Sequence, residues 1–303
     1  MLAAARRQSI GLLKAAALAV TLTALGSEVA SAGIPEPPVH TDSTPESVTT
    51  VDLEYPTTGG SEAMTVYSPA DPSASPAPAI VMVHGGAWAR GSRTLLDSQA
   101  RRAAADGFVV FNIDYNLDAP RNPRQFLEVT AAIEYIRTHA DDFGMDADRI
   151  GGLGTSAGAH LLMQAVTAGN APLQAVVGWS GPYDLTAQIS PKGDAFMLGA
   201  SAAYLGCVPT PALSGVSSES VNRCADDAAE ASPIRHVSEG NPPVLLFNSS
   251  DELIPVEQMT AFAERLRDVG TPAETQVLPG SKHAVAYSDA ALDPTLTFLR
   301  HHL

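Results

Sequence analysis

Apolar residues follow two rhythms along the chain. Unbroken runs, AIVMV at 79–83, FVVFNI at 108–113, LQAVV at 173–177, VLLF at 244–247 and TQVL at 275–278, are what strands covered on both faces require. Between them the spacing lengthens to three and four. Phe126, Val129, Ile133 and Ile136 mark one helical face, and Met259, Phe262, Leu266 and Val269 another, with Pro255 ahead and Gly270 behind. A last helix is expected to begin at Asp293-Pro294 and run through Leu296, Leu299 and Leu303. Nearer the start, VDLEY at 51–55 and MTVY at 64–67 alternate around Gly59-Gly60, as half-exposed strands joined by a turn do. Strand–helix alternation sustained to the end predicts an α/β fold with a mostly parallel, doubly wound sheet. Residues 186–235 interrupt it with short Ala/Ser/Gly/Pro-rich pieces, read as an inserted cap or lid segment over one end of the sheet.

The first 32 residues have a different order. Arg6 and Arg7 precede an uncharged apolar run at 15–25, and Ala30-Ser31-Ala32 follows with small residues where a signal peptidase cuts. The run is shorter than the roughly 20 residues a membrane span needs, so 1–32 reads as a signal peptide rather than an anchor. Arg6-Arg7 leaves the Sec and twin-arginine routes both open. Pro35, Pro37, Pro38 and Pro45 make 33–50 a linker ahead of a single α/β domain at 51–303. Secretion, to the periplasm or beyond, is thus the expected localisation, with no stable membrane insertion after cleavage.

Charge and cysteines narrow the classes. The full chain of 303 residues carries 18 Lys+Arg against 33 Asp+Glu, a formal charge of −15. Losing 1–32 removes Arg6, Arg7, Lys14 and Glu28 and leaves −17. Such a chain lacks the basic face that nucleic-acid binding needs. Two cysteines are too few for a zinc cluster or a disulfide-built scaffold. In an oxidising compartment, however, Cys207 and Cys224 could close a loop between them.

The chemistry-bearing residues fall just after strand ends, where open α/β sheets gather their ligands. Gly154-Thr155-Ser156-Ala157-Gly158 lies between a strand and an Ala/Leu-rich helix, so Ser156 would sit on a tight turn with its hydroxyl outward. A serine nucleophile needs a base, an acid that orients the base, and donors for the oxyanion. Asp251 follows the 244–247 strand and His283 the 275–278 strand. Asp226, Asp227 and Glu252 compete for the acid, but none directly follows a buried strand as Asp251 does. His236, His301 and His302 compete for the base from before a strand or from the end of the last helix. His84-Gly85-Gly86-Ala87-Trp88 follows the first buried strand, and its glycines let backbone N–H groups approach an ester oxygen. His84 reads as a brace for that loop and Trp88 as packing; Tyr115 and Tyr183 have no assigned role.

HGGAW, GTSAG, SSDELIP and GSKHA together resemble the α/β-hydrolase carboxylesterases, in the hormone-sensitive-lipase-like and feruloyl/acetyl-esterase-like branch. The resemblance covers about residues 50–303. It implies an α/β-hydrolase fold, a Ser156–His283–Asp251 triad, an oxyanion hole from Gly85, Gly86, Ala87 and Ala157, and no metal or organic cofactor. Ala87 stands where many members have a third glycine, which implies a tighter acyl pocket. The expected activity is hydrolysis of small-molecule or polymer-linked carboxylic esters through an acyl-enzyme, falling below about pH 6 as the histidine base protonates. An arylformamidase-type amidase and a catalytically silent binding protein on the same scaffold are the alternatives.

Overall fold

In this computed structural model residues 48–70, 76–188, 195–207 and 217–303 are described; the segment read as a signal peptide, 1–32, and the segment read as a linker, up to residue 47, lie outside them. Eight strands form one sheet among the described residues: β1 (Val48–Thr57), β2 (Gly60–Pro69), β3 (Ala77–Val83), β4 (Val109–Ile113), β5 (Met145–Thr155), β6 (Ala175–Trp179), β7 (Val244–Ser249) and β8 (Ala273–Leu278). The helices are α1 (Asp97–Ala105), α2 (Arg124–Thr138), α3 (Ala157–Thr167), α4 (Leu185–Gln188), α5 (Ala195–Leu205), α6 (Ser218–Glu230), α7 (Val256–Asp268) and α8 (Ser288–His302).

The sheet order is β1-β2-β4-β3-β5-β6-β7-β8. β1, β2 and β4 pair antiparallel, and every pair from β4 through β3 to β8 is parallel. β1 begins inside the segment read as linker, because Val48 to Thr50 pair with Pro69 to Tyr67. β3 lies between β4 and β5, so the connections leaving β3 and β5 diverge and open a crevice at their C-terminal ends.

The continuous apolar runs arise because each face has its own core. Val81 and Val83 of β3 join Phe111, Val176 and Leu246 under α2, α3 and α7, contributing Ile133, Leu161, Leu162, Phe262 and Leu266. Ile80 and Met82, one residue out of phase, join Val110, Val177 and Phe247 under α1 and α8, with Ala100, Ala104, Leu296 and Leu299. α7 keeps the bounds its punctuation predicts: Pro255 caps it and Gly270, at φ 84°, ends it. α8 does not. It starts at Ser288, six residues before Pro294, and carries that proline in its interior. Pro294 gives up one backbone hydrogen bond, but Ala291 and Leu296 on either side are buried against the sheet. Packing therefore sets this helix's start, and local preference does not.

Candidate active site

β5 ends at Thr155 and α3 starts at Ala157, leaving Ser156 to turn the chain at φ 51°, ψ −119°. A non-glycine residue tolerates that conformation only when its surroundings hold it. The Ser156 N–H donates to the Trp179 carbonyl at 2.7 Å, and its carbonyl accepts the His160 N–H at 3.1 Å. The flanking glycines are required by contact. A Cβ on Gly154 would lie 2.6 Å from the Ala159 backbone, and one on Gly158 2.2 Å from the Val83 carbonyl oxygen.

His283, in the loop after β8, brings Nε2 to 2.9 Å from Ser156 Oγ. Its Nδ1 faces a carboxylate, and that carboxylate belongs to Glu252. The Glu252 side chain is fully buried while His283 is 29% exposed. Its second oxygen accepts the Ser249 N–H at 2.7 Å and the Ser180 hydroxyl at 2.8 Å, so its buried oxygens are satisfied.

The expectation of Asp251 as the orienting acid is therefore corrected. Asp251 is exposed, and its N–H is bound to the Gly280 carbonyl at 2.9 Å. β7 extends to Ser249, and the turn behind it is pinned by Asn248, whose side-chain amide donates to the Ile254 carbonyl at 2.8 Å. Within that turn residue 251 points to solvent and residue 252 points back under the strand end. One signal in the sequence marks this. Ser249 and Glu252 have the S-x-x-E spacing in which a glutamate reaches back to the serine's own N–H.

The loop after β3 abuts Ser156. A Cβ on Gly85 would lie 2.9 Å from Ser156 Cβ, and one on Gly86 would lie 1.9 Å from the Arg90 carbonyl oxygen. Gly86, Ala87 and Trp88 all have positive φ, and the Gly86 carbonyl accepts the Ala89 and Arg90 N–H groups, both at 3.1 Å. The Gly86 and Ala87 N–H groups meet no acceptor among the described residues. Ala157, as the first residue of α3, has an N–H outside the helical ladder. Three donors of the expected oxyanion set, on the loop after β3 and at the start of α3, thus have no acceptor among the described residues.

His84 braces this loop. It is buried and stacked on Tyr115 at 4.4 Å, and its Nδ1 donates to the Gly85 carbonyl at 2.7 Å. Tyr115 in turn donates to the His84 carbonyl at 3.0 Å. Burial holds the His84 pKa below its ordinary value. Trp88 is packing, and more. Its indole N–H donates to His160 Nδ1 at 3.2 Å and its ring stacks on Tyr204 at 4.8 Å. His160 then donates from Nε2 to the Ala231 carbonyl at 2.7 Å. Tyr204 and Ala231 both lie within the 186–235 insertion, so this aromatic cluster fastens it to α3 and the glycine loop. Cys207 and Cys224 are disulfide-bonded and join the end of α5 to α6. Tyr183 stacks on Phe262 in the core, and His236, His301 and His302 make none of the contacts to Ser156 that His283 makes. Among the described residues no three His, Cys, Asp or Glu side chains gather as a metal site would need.

A mostly parallel sheet with a serine on a strained strand-to-helix turn, and a histidine reaching it from the loop after the last strand, is the architecture of the α/β-hydrolases. Solved structures agree on the fold. A bacterial heroin esterase superposes with a TM-score of 0.69 at 24% identity, covering 87% of both chains. The carboxylesterase EstE1, cloned from a metagenomic library, gives 0.65 at 23%, covering 84% of this chain and 89% of its own. The family model BD-FAE matches residues 64–266, and the chain belongs to that family. Esterase LipC of Mycobacterium tuberculosis is 35% identical over 247 residues, 75% of this chain and 57% of LipC. Acetyl esterase of Salmonella choleraesuis is 31% identical over 154 residues, 48% of this chain and 46% of its own. The chain spans about half the length of the curated relatives it matches.

Proposed function

We propose that this chain is an exported serine carboxylesterase in which Ser156 is the nucleophile, His283 the base and Glu252 the acid that orients it. The observation that carries this reading is the single line of contacts from Ser156 Oγ through both ring nitrogens of His283 to a buried carboxylate. His283 Nε2 takes the hydroxyl proton as Oγ attacks the ester carbonyl. The oxyanion is held by N–H groups of the Gly86-Ala87 loop and Ala157, each such donor being worth about 3 kcal/mol. His283 returns its proton to the leaving alcohol, then activates the water that clears the acyl-enzyme. Glu252 keeps the proton of neutral His283 on Nδ1, which leaves Nε2 free to act. The esterase names of LipC and the acetyl esterase support an ester substrate, small or polymer-linked. The basic-apolar-small order of 1–32 and the bonded cysteine pair support export.

The test is hydrolysis of a p-nitrophenyl ester series from acetate to palmitate, with Ser156→Ala beside the parent protein. Activity on the short esters that disappears in the variant is expected. Equal activity in both proteins would discard the nucleophile, and activity on a matched amide above the ester would move the reading to an amidase.

A further inference from the structure

The turn after β6 carries a second serine in an unusual conformation. Ser180 has φ 53° and is fully buried, with its N–H on the Phe247 carbonyl at 2.8 Å. Ser156 after β5, Ser180 after β6 and Ala284 in the chain after β8 are three positive-φ, non-glycine residues, the first a member of the proposed triad and the other two in contact with Glu252 or next to His283. Every bonding position of the Ser180 hydroxyl is filled. It donates to Glu252 Oε1 at 2.8 Å, since a carboxylate oxygen can only accept. It accepts the Ala284 N–H at 2.9 Å, from the residue next to His283. Its remaining lone pair faces the Tyr287 hydroxyl at 2.8 Å; with the serine proton on Glu252, the proton of that contact is the tyrosine's, shared with the Phe247 carbonyl at 3.2 Å.

We infer that Ser180, backed by Tyr287, is a positioning residue for the reaction: one hydroxyl ties the acid Glu252 to the backbone that carries the base His283. This rests on the triad reading above. Glu252 and His283 come from different loops, after β7 and β8, which are joined directly by the Ser250 N–H on the Leu278 carbonyl at 2.8 Å, the Asp251 N–H on the Gly280 carbonyl at 2.9 Å and the Gly280 N–H on the Ser250 hydroxyl at 3.1 Å. The Ser249 hydroxyl donates to the Lys282 carbonyl at 2.6 Å, beside His283. The Ser180 hydroxyl is the one that touches both the carboxylate and the histidine loop. Without it Glu252 Oε1 keeps the Ser249 N–H but swings more freely, the Ala284 N–H loses its acceptor, and the Tyr287 hydroxyl keeps only the Phe247 carbonyl.

Ser180→Ala removes the hydroxyl and nothing else. Because a hydrogen bond to a charged group is involved, kcat should fall about ten-fold or more, with KM on p-nitrophenyl acetate within about two-fold. The same substitution made on Glu252→Gln should cost almost nothing further, since its effect passes through that carboxylate. Tyr287→Phe, the milder variant, should lower kcat about two- to three-fold with the same loss of effect on Glu252→Gln, and it serves if Ser180→Ala does not fold. Parent-like kcat in both variants, or a full additional loss on the Glu252→Gln background, overturns the inference. Failure of the triad reading is seen separately, as Ser156→Ala retaining activity.

Discussion

Asp251 and Glu252 are adjacent in sequence and opposite in surroundings. A buried carboxylate is tolerated only when its oxygens are paired, and Glu252 has a backbone N–H, a serine hydroxyl and an imidazole to pair with. Asp251 has solvent. Glu252→Gln keeps the shape but can turn an amide N–H toward His283, favouring the tautomer whose Nε2 cannot accept a proton. A loss of about 10³- to 10⁴-fold in kcat is expected, against less than about two-fold for Asp251→Asn. Steady-state kinetics on p-nitrophenyl acetate decide it, and the reverse order would return the acid role to Asp251. At this scale the serine, the histidine and the glycine loop were legible, because each rests on turn chemistry that a few consecutive residues specify. The acid was not, because the direction of a side chain in a turn depends on where the strand before it ends.

Between elements, His160 is the fastener with a pH dependence. It is fully buried on α3, and burial pushes its pKa down to about 4, against the Ala231 carbonyl bond that works the other way. The ring meets one donor at Nδ1 and one acceptor at Nε2, so it fits only when neutral. An unfolded histidine protonates near pH 6.5. Between these two values the unfolded chain binds a proton that the folded chain refuses, so the stability present above pH 6.5 drains away as pH falls toward 4. At pH 4.5 the loss from this group is about 2–3 kcal/mol. Denaturant unfolding at pH 7 and 4.5 should show a drop smaller by about that amount in His160→Gln; parallel drops would sink the assignment. The sequence shows His160 only as one polar residue in an apolar helix. Its partners come from a glycine loop 72 residues away and a carbonyl 71 residues away, and no local pattern encodes them.

Across the whole molecule, the described part of the insertion carries no strand and is fastened by side chains, together with a backbone bond from the Asn122 N–H to the Tyr204 carbonyl at 3.2 Å. Besides the Trp88–His160–Tyr204 cluster, the Gln164 side chain donates to the Glu230 carbonyl at 2.9 Å and Arg121 to the Ala203 carbonyl at 3.2 Å. The Cys207–Cys224 bond lies wholly inside this segment, its ends 17 positions apart in sequence. Cutting it frees the unfolded chain by about 3 kcal/mol in the chain-entropy picture. Cys207→Ser with Cys224→Ser should therefore lower Tm by several degrees, and added reductant should do the same to the parent protein but nothing to the double variant. An unchanged Tm in both would mean the bond contributes nothing to the fold. No helix among the described residues is long and apolar enough to cross a membrane.

The amino-acid sequence by itself determined the α/β alternation, the two-faced strands, the serine turn with its glycines, and the placement of a histidine after the last strand. Each of these is written in residues a few positions apart, where periodicity and backbone sterics act. Tertiary structure decided which of two neighbouring acids faces the histidine, that α8 runs through Pro294, and that Ser180 lies where three loops meet. Those outcomes depend on burial and on hydrogen bonds between strand ends distant along the chain, and such forces exist only once the sheet has brought the ends together.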